Sequence, residues 1–188
     1  MKAMEINTNF GHWVRVAPYT GFRLQKFSRP MFVAGEETPE SLDELTIGQI
    51  IELSTIGDSN ESFFAVCRIV LPQLSRAQVE GARAVDVVRF VGWVAGEIER
   101  INRLFKSSEA KPSQEEEMAG IKTLKFGLFG MLDWYAQRMQ ISNHDEVLSV
   151  PWMRIWKCLD MDNKRNIFNK RLQEVYNDEY RRKNQRNS

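Results

Sequence analysis

Between Val85 and Phe105 the apolar residues Val87, Val91, Val94, Ile98, Ile101 and Phe105 recur at alternating steps of four and three. That spacing lines side chains along one stripe of an α-helix. Glu97, Glu99, Arg100 and Arg103 fall on the other side, so the pattern predicts one long amphipathic helix. Upstream, Thr46 followed by Gln49 is a capping-box pair, and Ile47, Ile50, Ile51 and Leu53 supply the buried face of a short helix ending near Ile56-Gly57. A helix from about Asn60 is apolar on nearly every side through Phe63, Phe64, Val66, Cys67, Ile69, Val70 and Leu71, which predicts burial, and Pro72 stops it. Ser75 with Gln78 opens a small helix that ends near Gly81.

The second half continues in the same way. Ser113 and Glu116 form another capping box, and Glu115, Glu116 and Glu117 suit the positive end of a helix predicted to run to about Lys125. Phe126-Gly127-Leu128-Phe129-Gly130 kinks or breaks that helix before another, Met131 to Met139. Asn143 with Glu146 caps a short helix, Pro151 opens one carrying Trp152, Ile155, Trp156 and Leu159, and Asp162 caps a last one. In that last helix Ile167, Phe168, Leu172, Val175 and Tyr176 are expected to face inward, and Arg181 to Ser188 to fray. Gly92 and Gly96, four apart inside the long helix, point to a close crossing by another helix or a ring.

Residues 1–33 break the helical rhythm. They are rich in aromatic and β-branched residues and punctuated by Gly11, Pro18, Gly21 and Pro30. Trp13 to Val16 and Phe22 to Phe27 read as the strands of a hairpin across Ala17 to Gly21. A lone hairpin is marginal in water, so this arm must pack on the helical body or on another chain. The resulting fold class is all-α: one compact domain of about eight helices over residues 46–180. An extended or β-hairpin arm (1–33), an acidic linker (34–45) and a basic tail (181–188) flank it.

Charge adds a polarity that the pattern does not show. The 26 Lys and Arg nearly balance the 25 Asp and Glu, leaving +1, which removes any whole-molecule attraction to nucleic acid or membrane. Yet every charge from Met31 to Cys67 is acidic, whereas Lys164, Arg165, Lys170, Arg171, Arg181, Arg182, Lys183 and Arg186 make the end basic. No aromatic residues are interleaved with Arg181, Arg182, Lys183 and Arg186, which argues against single-stranded nucleic acid as a partner. No run approaches the ~18 apolar residues that cross a bilayer, and Glu5, Asn7, Thr8 and Asn9 stand where a signal peptide is apolar. The expected location is cytoplasmic.

Candidate chemistry is sparse. Of the two histidines, neither His12 nor His144 has a second ligand at helical spacing, so no zinc site is predicted and no cofactor is implied. Cys67 and Cys158 each sit in apolar helical surroundings and are expected to be free, buried thiols. Gly127 and Gly130 do not make a phosphate loop, because Phe126, Leu128 and Phe129 stand where small or basic residues are required. No catalytic constellation is predicted.

What remains is aromatic weight: Phe126, Phe129, Trp134, Tyr135, Trp152 and Trp156 in the second half, and Trp13, Tyr19, Phe22 and Phe27 in the arm. Core packing accounts for much of it. The total nonetheless exceeds what one small domain needs, and these ten residues are the candidates for contacting a protein partner or a second copy. Three stretches carry a family likeness: Glu116-Glu117-Met118-Ala119-Gly120-Ile121, Lys125-Phe126-Gly127-Leu128-Phe129-Gly130-Met131-Leu132-Asp133-Trp134-Tyr135-Ala136 and Asp145-Glu146-Val147-Leu148-Ser149-Val150-Pro151-Trp152. Over about residues 42–176 the chain resembles the small helical proteins of tailed-phage and prophage assembly clusters, tail assembly chaperones above all. The resemblance implies a non-enzymatic protein of the host cytoplasm that binds the long hydrophobic tape-measure protein and shields its apolar helical surface. Within the same biology it also admits a virion connector or adaptor whose arm docks on neighbouring subunits. Outside it stand a bacterial interaction domain and an enzyme with no visible motif.

Overall fold

In the computed structural model, residues 8–16, 27–57, 59–108, 112–124 and 126–186 are described. Among them the all-α expectation holds: the helices are α1 (Phe10–Val16), α2 (Ile47–Thr55), α3 (Asn60–Val70), α4 (Arg76–Gly81), α5 (Ala84–Ser107), α6 (Gln114–Met118), α7 (Gly127–Met139), α8 (His144–Leu148) and α9 (Trp152–Arg186). Two short strands, β1 (Phe32–Val33) and β2 (Glu36–Glu37), pair antiparallel.

The predicted stripe makes α5 the axis of the core. Val87, Val91, Val94 and Ile101 are buried, as are Phe90 and Trp93 from the adjoining face and Gly92. α1, α2, α3 and β1 pack around it. Capping decides where three helices begin: at Thr46, Ser75 and Ser113 the side chain accepts from the third residue's N–H, and the cap residue's own N–H donates to that residue's side-chain oxygen. Asn143 instead accepts from Asp145 N at 3.0 Å, with no reciprocal bond from Glu146.

The start of α2 is stitched to a distant corner. Ile47 N donates to Val150 O at 2.8 Å, Trp152 N donates to Leu45 O at 3.1 Å, and Thr46 and Pro151 form an isolated antiparallel bridge. A Cβ on Gly48 would lie 2.9 Å from Leu148 O, so only glycine lets α8 come this close.

The arm departs from the predicted hairpin. Trp13 to Val16 lie in α1, not in a strand. Asn9 Oδ1 accepts from His12 N at 3.1 Å, an N-cap contact, and tertiary packing does the rest. Phe10 is fully buried, its ring 5.4 Å from that of Phe63 and 5.8 Å from that of Trp13. Phe10 N donates to Ala82 O and Ala84 N to Thr8 O, both at 2.8 Å, which makes residues 8–16 part of the body. Residues 22–26 of the predicted second strand lie outside the described residues. The hairpin that is present comes later, its first strand at the end of the arm and its second in the acidic linker, and between them Ala34 and Gly35 both take positive φ (54° and 88°) as a type I′ turn demands. Truncating Phe10 to alanine should cost about 3–5 kcal/mol, the usual range for an aromatic ring removed from a core. Urea unfolding measures it.

The C-terminal half departs further. α6 stops at Met118 and a left-handed Gly120 turns the chain into the 3-10 turn Ile121–Thr123, so the helix never reaches Lys125. α7 begins at Gly127 rather than Met131. Asp162 caps nothing: α9 runs through it as one helix of 35 residues, and its carboxylate meets Arg138 at 2.7 Å. Beyond Asn163 every described side chain of α9 is exposed except Leu172, which is half-buried. Ile167, Phe168, Val175 and Tyr176, expected inside, therefore face water. The basic stretch expected to fray is helical to Arg186.

Candidate protein-docking surface

The ten aromatic candidates separate by burial. Trp152 and Tyr135 are core residues and reach no partner. The Trp152 indole N–H donates to Leu42 O at 2.8 Å inside the core, and Arg100 stands over its ring. Trp156 is half-buried, its N–H donating to Leu104 O at 3.1 Å. Trp134 is half-buried beside Arg138. Trp13 and Phe27 are half-buried against the core. Tyr19 and Phe22 lie outside the described residues.

Phe126 and Phe129 are the two candidates that face solvent, 71% and 63% exposed. They do so because of how their segment folds. The left-handed turn after α6 and the late start of α7 place Met118, Leu124, Phe126, Leu128 and Phe129, all exposed, on a short ridge between two helices. Phe126 folds back across Gly130, where an added Cβ would come within 2.4 Å of the Phe126 Cβ. Phe129 stacks on the His144 imidazole at 5.1 Å, and His144 Nε2 lies 3.1 Å from Asp133 Oδ1. Both rings are thus braced from below while their outer faces stay open to solvent.

Charges frame the ridge. Glu116 accepts from Ser113 N at 2.8 Å and from Lys170 Nζ of α9 at 2.7 Å, and these two contacts, Lys170 foremost, hold its carboxyl below the usual range. This part of the acidic triplet anchors α6 to α9. Among the described residues, no group of three His, Cys, Asp or Glu gathers as a metal site, and no helix is long and apolar enough to cross a membrane.

Two clefts lie elsewhere among the described residues. One of about 270 Å³ lies where α2, α3 and α5 meet, lined by Leu53, Phe63, Val66, Val91, Val94 and Ile98. Its one ionisable lining residue, Glu99, sits 3.7 Å from Arg103. The other, about 400 Å³, runs along the acidic linker between Pro39, Glu44 and Val70. Neither brings a nucleophile against a base.

The cysteines are free; Cys67 is buried and Cys158 half-buried. Burial pushes the Cys67 thiol up to about 12 from its ordinary 9.0. The unfolded chain therefore releases this proton first, and stability present below pH 9 declines as pH rises toward 12, by at most about 1.4 kcal/mol per pH unit. Cys67→Val should remove that part of the alkaline decline, as read by urea unfolding at a series of pH values.

Exposed apolar residues that periodicity alone did not single out include Met118, Leu124 and Leu128 on the ridge, Met161 and Tyr180 on α9, and Met31 and Phe32 at the hairpin. For Met118, Leu124 and Leu128 the signal was present in the sequence as apolar residues close to Gly120 and Gly127, where the chain turns and a new helix starts. Compared with protein-family models, with curated proteins and with solved structures, the chain gives no match.

Proposed function

We propose that this chain is a non-enzymatic protein of bacteriophage particle assembly that binds another protein through the ridge of residues 118–129. The observation that carries the reading is the pair Phe126 and Phe129, braced from beneath and open to solvent, within the segment that resembles tail assembly chaperones. An amphipathic helix laid on the ridge would cover both rings and exchange its own exposed apolar face for theirs. A tape-measure protein is a long series of such helices. Shielding them holds that protein soluble until tube subunits take over the same surface.

A second reading, a connector retained in the virion, draws on α9, whose outer part extends past the body as a rod able to reach a neighbouring subunit. The arm itself gives this reading less support, since Thr8 to Val16 dock on their own chain. Co-expression of the full chain with the tape-measure protein of its own gene cluster separates the two. A chaperone keeps that protein in the soluble fraction and is missing from washed particles; presence in washed particles at the copy number of a ring selects the connector, and neither behaviour ends both readings.

A further inference from the structure

Under the ridge sits a titratable pair. Phe129 rests on the His144 imidazole, the ring centroids 5.1 Å apart and the planes 28° from parallel. His144 Nε2 donates to Asp133 Oδ1 at 3.1 Å, the direction a carboxylate acceptor imposes. That bond fixes the tautomer: Nε2 carries the hydrogen, and Nδ1 is the nitrogen left to take up a proton. Asp133 Oδ2 accepts from Gln137 Nε2 at 2.7 Å, which holds the carboxylate in place. The His144 and Asp133 side chains are 38% and 39% exposed, so water reaches both while the ridge is bare.

We propose that a helix docking on the ridge drives a proton from solvent onto His144 Nδ1, so that the partner is held more tightly at mildly acid than at mildly alkaline pH. The inference rests on the ridge being the docking surface. A helix with its side chains is about 10 Å across, so one lying on Phe129 also covers the imidazole stacked beneath it and shields the carboxylate bonded to that imidazole. Covering the neutral ring leaves the Asp133 charge uncompensated under an apolar lid, whereas covering the imidazolium leaves an ion pair at hydrogen-bond distance. The second costs less, because expelling water strengthens the attraction within the pair. The cation also faces the Phe129 ring, whose π face attracts it. The surrounding charges agree in sign. Asp145 and Glu146 of α8 are exposed beside the ring, and on α7 the cation of the last turn, Arg138, is engaged by Asp162. α2, also packed on α8, carries Glu52, which pairs with Arg68. His144 is the first residue of α8, where a helix dipole resists a cation. That helix has five residues, however, with Asp145 and Glu146 in the same turn and Asp133 bonded to the ring itself.

Calorimetric titration of the full chain with a histidine-free helical peptide from the tape-measure protein tests this. Binding should be about threefold to tenfold tighter at about pH 6 than at about pH 8, the range over which an imidazole changes charge. At about pH 7 the heats of binding in phosphate and in Tris should differ in the sense of proton uptake, by up to about one proton per complex. His144→Gln keeps an amide donor for Asp133 and cannot titrate, so its affinity should be the same at both pH values and its heats the same in both buffers. Three results overturn the proposal while leaving the ridge as the docking surface: equal affinity of the parent at the two pH values, proton release on binding, or a pH dependence that survives in His144→Gln. A variant that melts like the parent yet binds at neither pH also overturns it, because the imidazole would then be a contact and not a proton site. A parent that binds the peptide at neither pH overturns the ridge reading, and this inference with it.

Discussion

Trp152→Ala should lower stability by about 3–5 kcal/mol, enough to unfold much of a marginally stable domain at physiological temperature. The residue is fully buried at the first turn of α9, its indole N–H is bonded to Leu42 O at 2.8 Å, and the Phe105 ring is 6.0 Å away. Truncation opens a cavity where α2, α5 and α9 meet and takes from the Leu42 carbonyl the shorter of its two hydrogen bonds, leaving that from Leu45 N at 3.2 Å. Trp152→Phe isolates the second effect: the ring stays, the donor goes, and the cost should fall to about 1–3 kcal/mol. Circular dichroism during urea unfolding measures both. Equal losses for the two variants would mean that the hydrogen bond, not the packing, sets the cost.

Phe126→Ser with Phe129→Ser should have the opposite profile. Both rings are mostly exposed, so stability should change by less than about 1 kcal/mol, while affinity for the proposed helical partner falls by two to three orders of magnitude, or about 3–4 kcal/mol. Calorimetric titration of parent and variant against a peptide from the tape-measure protein gives the affinity, and a melting curve gives the stability. A variant that binds as the parent does removes the ridge from the docking surface. One that unfolds shows the rings to be structural. Gly130→Ala offers a gentler probe, since its methyl group must push Phe126 from its seat without removing the ring.

Local chemistry was the part of the fold legible in the residues. Thr46, Ser75 and Ser113 announce helix starts because each needs only a partner three residues away, and all three capping boxes form. The α5 stripe was legible for the same reason, its spacing being internal to one helix. Tertiary contacts were not. α1 exists because Phe10 packs against Phe63 and Phe64 of α3, and nothing in residues 8–16 announces those neighbours. Asp162 looked like a cap because aspartate favours that place, yet Arg138 on α7 engages its carboxylate and the helix continues. The same limit applies to the docking surface. Aromatic content named Phe126 and Phe129 together with Tyr135 and Trp152, and only the path of the chain puts the first pair outside and the second within. Periodicity showed that Phe168, Leu172 and Val175 share a face of α9, but it carries no information about which way that face looks.

The stitching of Leu45, Thr46 and Ile47 to Val150, Pro151 and Trp152 sets an order of events during synthesis. Helices α2 to α5 can assemble as soon as they leave the ribosome, but the Leu45 carbonyl meets the Trp152 N–H, and the Leu42 carbonyl its second donor, only once residue 152 emerges. Closing so long a loop is slow compared with forming a helix, so the domain completes itself late. A nascent chain halted before α9 is an open cup with an apolar lip, and quality-control proteases should clear such fragments quickly while leaving the finished protein intact.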